Sequence, residues 1–356
     1  MKKNKRVTAL LLSVMLSFTM AACGGRSSSQ SNETVTEAAE TSTQNETSGE
    51  TASAQESGKG FHIEGTKLID GKGNEFVMRG INEAHSWFLM QDKVSIDAIA
   101  ATGANCIRIV CSDGDKYNKD SVENLKALIA ACKRDRLIAI LEVHDATGED
   151  DLKFIQNATD YWIECKDALI GNEDFVILNI ANEWVGSWDS GIWKEGYTEA
   201  IPRLREAGIK NTIMVDAAGW GQYAKCINEA GADVIASDPE QNTMFSIHMY
   251  GTAGKDALTI KNGLGYATDQ NFCVCVGEFG YKHTDGDVNE EYIMQYCTEN
   301  NIGYLGWSWK GNGGGVEYLD IAEKWDGSVL SSEWGENLVN GEHGIKATSK
   351  ICTIYE

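Results

Sequence analysis

The strongest constraint on the fold is a series of eight short apolar runs that starts after Phe61 and continues almost to the C-terminus. Each run is apolar at consecutive positions, which is typical of parallel strands covered on both faces. Longer amphipathic stretches separate the runs, as expected for helices that cross between parallel strands. The runs span residues 76–82, 105–111, 138–144, 176–182, 212–216, 243–249, 273–277 and 303–309.

This alternation predicts an α/β fold, a closed (β/α)8 TIM barrel over residues 60–356. A chain of 356 residues with 42% hydrophobic residues suits one such barrel, and we find neither an internal repeat nor a second folded domain in the sequence. A hairpin over 68–76 is expected to close the N-terminal end of the barrel. The clearest helical patterns span residues 94–101, 121–134, 150–169, 193–207 and 289–300.

The first 59 residues have a different composition. Four positive residues precede an apolar run over 7–20, which predicts a signal peptide at 1–22. The sequence Met20-Ala21-Ala22-Cys23 resembles a bacterial lipobox, so Cys23 is expected to be lipidated; the alternative is a cleaved signal and a freely secreted protein. Residues 23–59 are rich in Ser, Thr and Glu and predict a disordered tether.

Charge and cysteine content exclude some classes of partner. The formal net charge is −22, which repels phosphate backbones and argues against nucleic acid, whereas an uncharged ligand feels no repulsion. The chain has ten cysteines, but they form no CxxC pair and no metal-ligand spacing with histidine. We expect those in the barrel to be small buried hydrophobic residues and expect no metal site.

Polar and aromatic residues gather where seven of the eight apolar runs end. In a barrel of this type, the C-terminal ends of the strands form the face that carries the active site. The sequence therefore predicts one polar cleft, lined from several strands at once. The residues at these ends are Asn82, His85, Trp87, Arg108, Glu142, His144, Asn182, Glu183, Trp184, His248, Tyr250, Glu278, Trp307 and Trp309.

Two glutamates matter most, because Glu183 ends the fourth run and Glu278 ends the seventh. These strands lie on opposite sides of an eight-stranded barrel, so two carboxyl groups could flank one glycosidic bond. A separation of about 5–5.5 Å would indicate retention of configuration, and about 6.5–9.5 Å would indicate inversion. The alternative is that either glutamate only forms a salt bridge at a strand end.

Several neighbouring residues also allow two interpretations. His144 and His248 are either packed core residues or donors to carboxylates and sugar hydroxyls. Arg108 stands inside an apolar run and needs a carboxylate partner, for which Glu278 is the candidate. Six tryptophans near the predicted cleft could stack on sugars, and we expect about half of them to be core residues: Trp87, Trp184, Trp188, Trp193, Trp307 and Trp309.

Three short motifs resemble glycoside hydrolase family 5: Ile180-Ala181-Asn182-Glu183, Ser246-Ile247-His248-Met249-Tyr250 and Val276-Gly277-Glu278-Phe279-Gly280. The longer strings over 79–87, 141–148 and 306–312 resemble the bacterial endo-β-1,4-mannanase branch of that family more than its cellulase branch. The similarity covers the chain from about Phe61 to Glu356. One departure is Glu83, where that branch is expected to carry histidine, and it could alter a sugar contact.

The resemblance implies a retaining mechanism with Glu183 as acid/base and Glu278 as nucleophile. Arg108 and the Tyr250 hydroxyl would keep Glu278 ionised, and the negative charge of Glu278 would raise the pKa of Glu183. By the same resemblance, Asn182 would hold the sugar 2-hydroxyl and Trp307 would form the floor of the subsite. His85, His144 and His248 would line the site, and neither a metal nor an organic cofactor would be required.

Three functions remain open from the sequence. The first is an endo-β-1,4-mannanase that acts, as a monomer, on mannan, glucomannan or galactomannan at the cell surface, with membrane contact only through the lipid. The second is an endo-β-1,4-glucanase of the same family. The third is a sugar-binding lipoprotein, which the signal and tether also suit but which has no need of two facing glutamates.

Overall fold

The computed structural model describes residues 60–356, and its centre is a closed barrel of eight parallel strands. Each barrel strand pairs with the next barrel strand along the chain. The last, β12 (Gly303–Gly306), pairs back to the first, β3 (Arg79–Glu83), which confirms the predicted (β/α)8 fold. The barrel strands are β3 (Arg79–Glu83), β4 (Cys106–Cys111), β5 (Ile138–Val143), β6 (Val176–Asn179), β7 (Ile213–Asp216), β8 (Thr243–Met249), β9 (Val274–Phe279) and β12 (Gly303–Gly306).

Helices cover the outside of the barrel. The predicted helix over 150–169 is divided at Cys165. The clearest helical patterns in the sequence did not include α7 (Ala257–Thr268), α9 (Gly335–Asn340) or α10 (Ile345–Thr348). Two glycines lower the helix propensity of α7. The helices are α1 (Asp92–Ala101), α2 (Val122–Arg134), α3 (Leu152–Glu164), α4 (Lys166–Leu169), α5 (Ser190–Glu206), α6 (Lys225–Ala236), α7 (Ala257–Thr268), α8 (Glu290–Glu299), α9 (Gly335–Asn340) and α10 (Ile345–Thr348).

In the described part of the chain, two pairs of short strands lie outside the barrel. Strands β1 (His62–Glu64) and β2 (Lys67–Ile69) form an antiparallel pair that the sequence did not predict. The predicted hairpin over 68–76 exists as a single bridge between Ile69 and Glu75 that follows this pair. Phe61 and Phe76 from this region pack in one apolar cluster with barrel residues such as Ile138, so the hairpin closes the N-terminal end of the barrel. A further pair, β10 (Lys282–His283) and β11 (Gly286–Asp287), follows β9.

A buried ion pair fixes the outer layer away from the strand ends that carry the polar cleft. Arg205 of α5 donates from Nε and Nη2 to the two carboxylate oxygens of Asp238, at 2.9 Å each. Asp238 is fully buried and also accepts from the Thr243 hydroxyl and from the backbone of Asn242. Burial opposes ionisation, but the hydrogen bond and charge of Arg205 hold the pKa of Asp238 below its usual value.

The nine cysteines in the described part of the chain are all free and buried. Burial raises the pKa of their thiols, for example that of Cys226 to about 12, so they carry no thiolate at neutral pH. They act as small hydrophobic residues, as the sequence indicated.

The predicted signal peptide, lipidated Cys23 and tether lie outside the described residues. Within 60–356, no helix combines the length and apolar character needed to cross a membrane.

Candidate active site

Residues at the C-terminal ends of the barrel strands and in the loops that follow them surround a cavity of about 540 Å³. The cavity is polar at its base, where both glutamates lie, and aromatic along its walls. The residues that line it are His144, Glu183, Trp188, Gly219, Trp220, Gln222, Tyr250, Thr252, Glu278, His283, Thr284, Asp285 and Trp307. A slightly larger cavity, of about 570 Å³, includes Phe76 and Arg79 and belongs to the opposite end of the barrel.

Glu183 and Glu278 face each other at the base of the cavity. One carboxylate oxygen of each, together with a ring nitrogen of His248, lies within 4.8 Å of the others. Both side chains are almost fully buried but remain open to the cavity. This separation fits a pair in which one carboxyl attacks the sugar directly, and it leaves too little room for a water molecule between carboxyl and sugar.

Glu278 is held by two donors. Arg108 Nη1 donates to its Oε1 at 2.7 Å, and the Tyr250 hydroxyl donates to its Oε2 at 2.9 Å. Both hydrogen bonds stabilise a negative charge on the carboxylate and fix its orientation. Glu278, the carboxylate partner that the sequence suggested for Arg108, is therefore one of the residues that Arg108 contacts.

Arg108 lies beneath the cavity and not on its wall, which corrects its predicted contact with substrate. The guanidinium is fully buried, and its nitrogens donate to side chains from several barrel strands. Neighbouring carboxylates raise its pKa although burial opposes them, so the group stays charged. Its partners are Asn82, Asn179, Asn182, Asp216 and Glu278.

Glu183 is in a different environment. Its Oε1 lies 2.8 Å from Nδ1 of His248, and its backbone adopts a left-handed φ of 44°. Burial, followed by the negative charge of Glu278, raises the pKa of Glu183, while His248 opposes that rise. The environments of the two carboxyl groups therefore differ: that of Glu278 favours a charged nucleophile, and that of Glu183 favours a protonated acid.

His248 lies below Glu183 and is fully buried, so the predicted contact of this residue with sugar is replaced by a contact with the acid. Its ring also lies 3.5 Å from oxygens of Glu278 and Asp216. Burial alone would lower its pKa, but these neighbouring carboxylates raise the pKa of His248 to about 10. These carboxylates therefore favour the protonated, cationic form of the ring.

His85 does not line the cavity, and the sequence prediction for it is wrong. It begins the 3-10 turn His85–Trp87 and is directed towards the helix layer. Its Nδ1 lies 2.8 Å from Asp92 and its Nε2 lies 2.9 Å from Asp120, so both nitrogens are engaged by carboxylates. Burial opposes protonation, but the two aspartates raise the pKa of His85 to about 9.

Glu83 also faces away from the cavity. Successive residues of a strand point to opposite faces, and Asn82 points inward, where it donates to carbonyls of β9 and β12. Glu83 is buried on the other face, and neither of its carboxylate oxygens has a hydrogen-bond partner. Burial raises its pKa to about 8. The sugar contact that we expected Glu83 to alter is therefore not made by this residue.

His144 and Trp307 form one wall of the cavity. Their rings are stacked, with centroids 5.6 Å apart and an interplanar angle of 19°, and Trp87 meets both edge-on. His144 Nδ1 lies 2.9 Å from Glu142 Oε1, which leaves Nε2 for a ligand. Asn182 is buried; it accepts from Arg108 at 2.6 Å and donates to the Thr147 hydroxyl at 2.9 Å.

The tryptophans divide as expected between core and cleft. Trp184, Trp193 and Trp309 are fully buried in the core. Trp188 and Trp220 stand at the cavity with 55% and 48% of their surface exposed, and the sequence had not singled out Trp220.

Gly148 supports the Trp220 ring. Its φ is +73°, and a Cβ at this position would come within 2.2 Å of the indole. Only glycine allows the ring to lie this close to the backbone.

Asp216 is a second residue of the site, after Trp220, that sequence reasoning missed. It ends β7, the one strand whose end we left without a polar residue, although the predicted run over 212–216 included it. It is fully buried and accepts the backbone N–H of Glu183 at 3.0 Å. Its position at the end of the fifth apolar run was the available signal.

The comparisons with known proteins agree with this geometry. The family model described as cellulase (glycosyl hydrolase family 5) matches residues 69–313. A mannan endo-1,4-β-mannosidase of Salipaludibacillus agaradhaerens is 50% identical over 296 residues, which cover 83% of this chain and 96% of that protein. A mannan endo-1,4-β-mannosidase of Streptomyces lividans is 42% identical over 307 residues, which cover 85% of this chain and 79% of that protein.

A solved structure has the same fold. The mannohexaose complex of Thermomonospora fusca β-mannanase superposes with a TM-score of 0.78 at 39% identity, over 83% of this chain and 99% of that one. The residues matched by the family model, 69–313, contain the whole barrel and both facing glutamates. On these grounds, the chain is a glycoside hydrolase and belongs to glycosyl hydrolase family 5.

Proposed function

We propose that this enzyme hydrolyses internal β-1,4-mannosidic bonds in mannan, glucomannan or galactomannan with retention of configuration. The observation that carries the mechanism is the pair Glu183 and Glu278, whose carboxylate oxygens approach within 4.8 Å in contrasting environments. The mannan preference is supported by relatives named mannan endo-1,4-β-mannosidase, of which one is 50% identical. No cofactor is part of the proposal.

In the first step, Glu278 attacks the anomeric carbon of the sugar. The bond from this carbon to the glycosidic oxygen breaks, a bond to the Glu278 carboxylate forms, and Glu183 gives its proton to the departing oxygen. Arg108 and Tyr250 orient Glu278 for the attack, because each donates to a different oxygen. The leaving sugar then departs as a neutral alcohol.

In the second step, Glu183 acts as a base. Glu278 is now an ester without charge, so the negative neighbour that raises the pKa of Glu183 has disappeared. Glu183 can therefore take a proton from a water molecule, which attacks the anomeric carbon and releases Glu278. Two inversions at the same carbon give overall retention.

Sugar recognition in this proposal uses the aromatic wall. Trp307 offers a flat ring to the sugar that is attacked, and His144 presents Nε2 beside it, since its Nδ1 is held by Glu142. Asn182 has one amide hydrogen beyond the one given to Thr147 and is the candidate for the 2-hydroxyl. The axial or equatorial position of that hydroxyl distinguishes mannose from glucose.

The deciding experiment measures reducing-end release by the purified protein from linear mannan, glucomannan and carboxymethyl cellulose. Release from mannan with retained anomeric configuration, followed by NMR, is expected. Release from cellulose only would make the enzyme an endo-β-1,4-glucanase with the same chemistry. No release from any polymer, together with calorimetric binding of mannohexaose, would make it a binding protein.

Trp188 and Trp220 are expected to bind sugars on the leaving-group side. They follow β6 and β7, next to Glu183, which protonates the leaving oxygen. Trp220→Ala is expected to raise KM for mannan about two- to tenfold, because ring stacking contributes about 0.5–1.5 kcal/mol. The value of kcat should change less.

The measurement is the kinetics of mannan hydrolysis by Trp220→Ala. The control is the same measurement on Trp325→Ala, because Trp325 is a half-buried tryptophan outside the cavity. Equal KM values for the two variants would contradict the assignment.

We also propose, from the sequence alone, that the protein is exported and held at the bacterial surface by a lipid on Cys23. We propose further that it is a monomer. The signal pattern at 1–22 and the sequence Met20-Ala21-Ala22-Cys23 support this. Cys23→Ser is expected to move the protein from the membrane fraction into the culture medium, as checked by fractionation and immunoblotting. Unchanged partitioning would show that Cys23 carries no anchor, and light scattering of the released protein tests the monomer.

A further inference from the structure

Asp216 contacts several parts of the catalytic machinery without reaching the cavity. It is fully buried, and its carboxylate accepts from the backbone N–H of Glu183 at 3.0 Å, from Arg108 Nη2 at 3.3 Å and from Asn179 Nδ2 at 3.3 Å. Its Oδ2 lies 3.5 Å from Nε2 of His248. Burial opposes ionisation, but His248 and Arg108 hold its pKa well below the usual value. It is therefore a permanent buried anion.

The first effect of Asp216 is on the backbone of the acid. Glu183 has a φ of 44°, in the left-handed region that residues with a side chain rarely adopt. The hydrogen bond from its N–H to Asp216 holds the backbone in this conformation. The conformation in turn directs the Glu183 side chain into the cavity, where the reaction takes place.

The second effect is on the proton of the acid. His248 lies between the two carboxyl groups, with Nδ1 at Oε1 of Glu183 and Nε2 towards Asp216. A cationic ring donates from Nδ1 to Oε1, so the transferable proton of Glu183 stays on Oε2. A neutral ring with its hydrogen on Nε2 would instead accept a hydrogen bond at Nδ1 and hold the proton of Glu183 away from the sugar.

Among the described residues, three carboxylates lie near His248, and Asp216 is the one whose charge stays constant during turnover. Glu278 lies 3.5 Å from the ring but loses its charge in the ester intermediate, and Glu183 gains and loses a proton. The other charged groups close to this cluster are Arg108, from β4, and His144, which follows β5. On the remaining side the ring packs against Gly221, which carries no charge.

We propose that Asp216 is a positioning residue for acid/base catalysis: it fixes the backbone of Glu183 and keeps His248 protonated, so that the Glu183 proton remains on the oxygen that faces the sugar. This inference rests on the proposed function, since it assigns Asp216 to the same proton transfer. Asp216 touches neither the substrate nor the reacting atoms and acts through Glu183 and His248.

The test is Asp216→Asn, which keeps the shape of the side chain and removes its charge. On mannan, kcat is expected to fall at least about 100-fold, because general acid catalysis contributes about 10²–10⁴-fold. KM is expected to stay within about threefold, because no substrate contact is lost. The alkaline limb of the kcat/KM profile is expected to move to lower pH by about one unit or more, since the protonated Glu183–His248 pair loses a stabilising anion.

A second substrate, dinitrophenyl β-mannobioside, distinguishes a role of Asp216 in acid/base catalysis from a purely structural role. Its leaving group departs without a proton, so its first-step rate is expected to fall less than about tenfold in Asp216→Asn. An equal loss on mannan and on this substrate, or an unmoved alkaline limb, would overturn the inference. Should Asp216→Asn not fold, His248→Gln gives the same comparison, because glutamine can replace Nε2 but not the Nδ1 donor.

Asp238→Asn is the matched control, because Asp238 is an equally buried aspartate that pairs with Arg205 away from the cavity. It is expected to lower the melting temperature but to leave the pH profile and the leaving-group comparison unchanged. A wild-type protein that is inactive on every β-mannan would overturn the proposed function itself. If the wild-type protein is active and Asp216→Asn has the same kinetics, only the positioning role of Asp216 would be overturned.

Discussion

Glu278→Ala is expected to lower kcat on β-mannan by at least about 10⁴-fold, because no other group at the base of the cavity can form the bond to the anomeric carbon. KM should change little, since Trp307 and His144 still form the binding wall. The measurement is the initial rate of reducing-end release. Unlike a loss of the acid, this loss should be as large on dinitrophenyl β-mannobioside, because Glu278 must attack the anomeric carbon whatever the leaving group is.

The space left by the missing carboxylate makes the role of Glu278 testable in a second way. Azide can enter it and attack the anomeric carbon from the same side, so Glu278→Ala with the dinitrophenyl substrate is expected to yield an α-mannosyl azide. The matched control is Glu83→Gln, since Glu83 is a buried carboxyl at a strand end that faces away from the cavity. It should retain activity. Activity in Glu278→Ala within about tenfold of wild type would rule out the nucleophile assignment.

Glu183→Ala is expected to lower kcat on mannan by about 10²–10⁴-fold, the range that general acid catalysis contributes. Formation of the glycosyl-enzyme from the dinitrophenyl substrate should persist, because that leaving group needs no proton. Release of the ester then becomes slow, since no base activates water, and the covalent intermediate should accumulate and be visible by mass spectrometry.

Azide is expected to rescue Glu183→Ala as well, but with the opposite stereochemistry. Here azide replaces water in the second step and attacks the Glu278 ester from the other face, which gives a β-mannosyl azide. The two variants thus yield azides of opposite anomeric configuration, which NMR distinguishes. A β-azide from Glu278→Ala together with an α-azide from Glu183→Ala would show that the roles of the two glutamates are reversed.

The barrel and its glutamate pair were predictable because each depends on a local pattern. Consecutive apolar residues mark buried parallel strands. Glu278 lies at the end of β9, and Glu183 follows the end of β6 by four residues. The topology then brings these ends to one face, whatever the details of the loops. Helix α7 was not among the clear sequence patterns because its two glycines weaken the helical signal, while packing against the barrel compensates for it.

Side-chain direction was less predictable than position along the chain. His85 stands in a turn after β3, where the alternation of the strand no longer applies, and the aspartates that bind it come from α1 and from the segment before α2. Arg108 was expected at the substrate, but its carboxylate partners are assembled from distant segments and draw it beneath the cavity. Asp216 was missed because an isolated aspartate carries no motif.

The burial of Arg108 among side chains of several barrel strands has a consequence for how the enzyme can change over evolutionary time. Its hydrogen bonds tie β6, β7 and β9 to the inner residue Asn82, so the same contacts hold the upper barrel together and orient the nucleophile. A substitution here alters stability and chemistry at once. The loops that carry Trp188 and Trp220 neither hold the barrel together nor orient the nucleophile. Substitutions in these loops can therefore change the polymer preference without changing the catalytic residues.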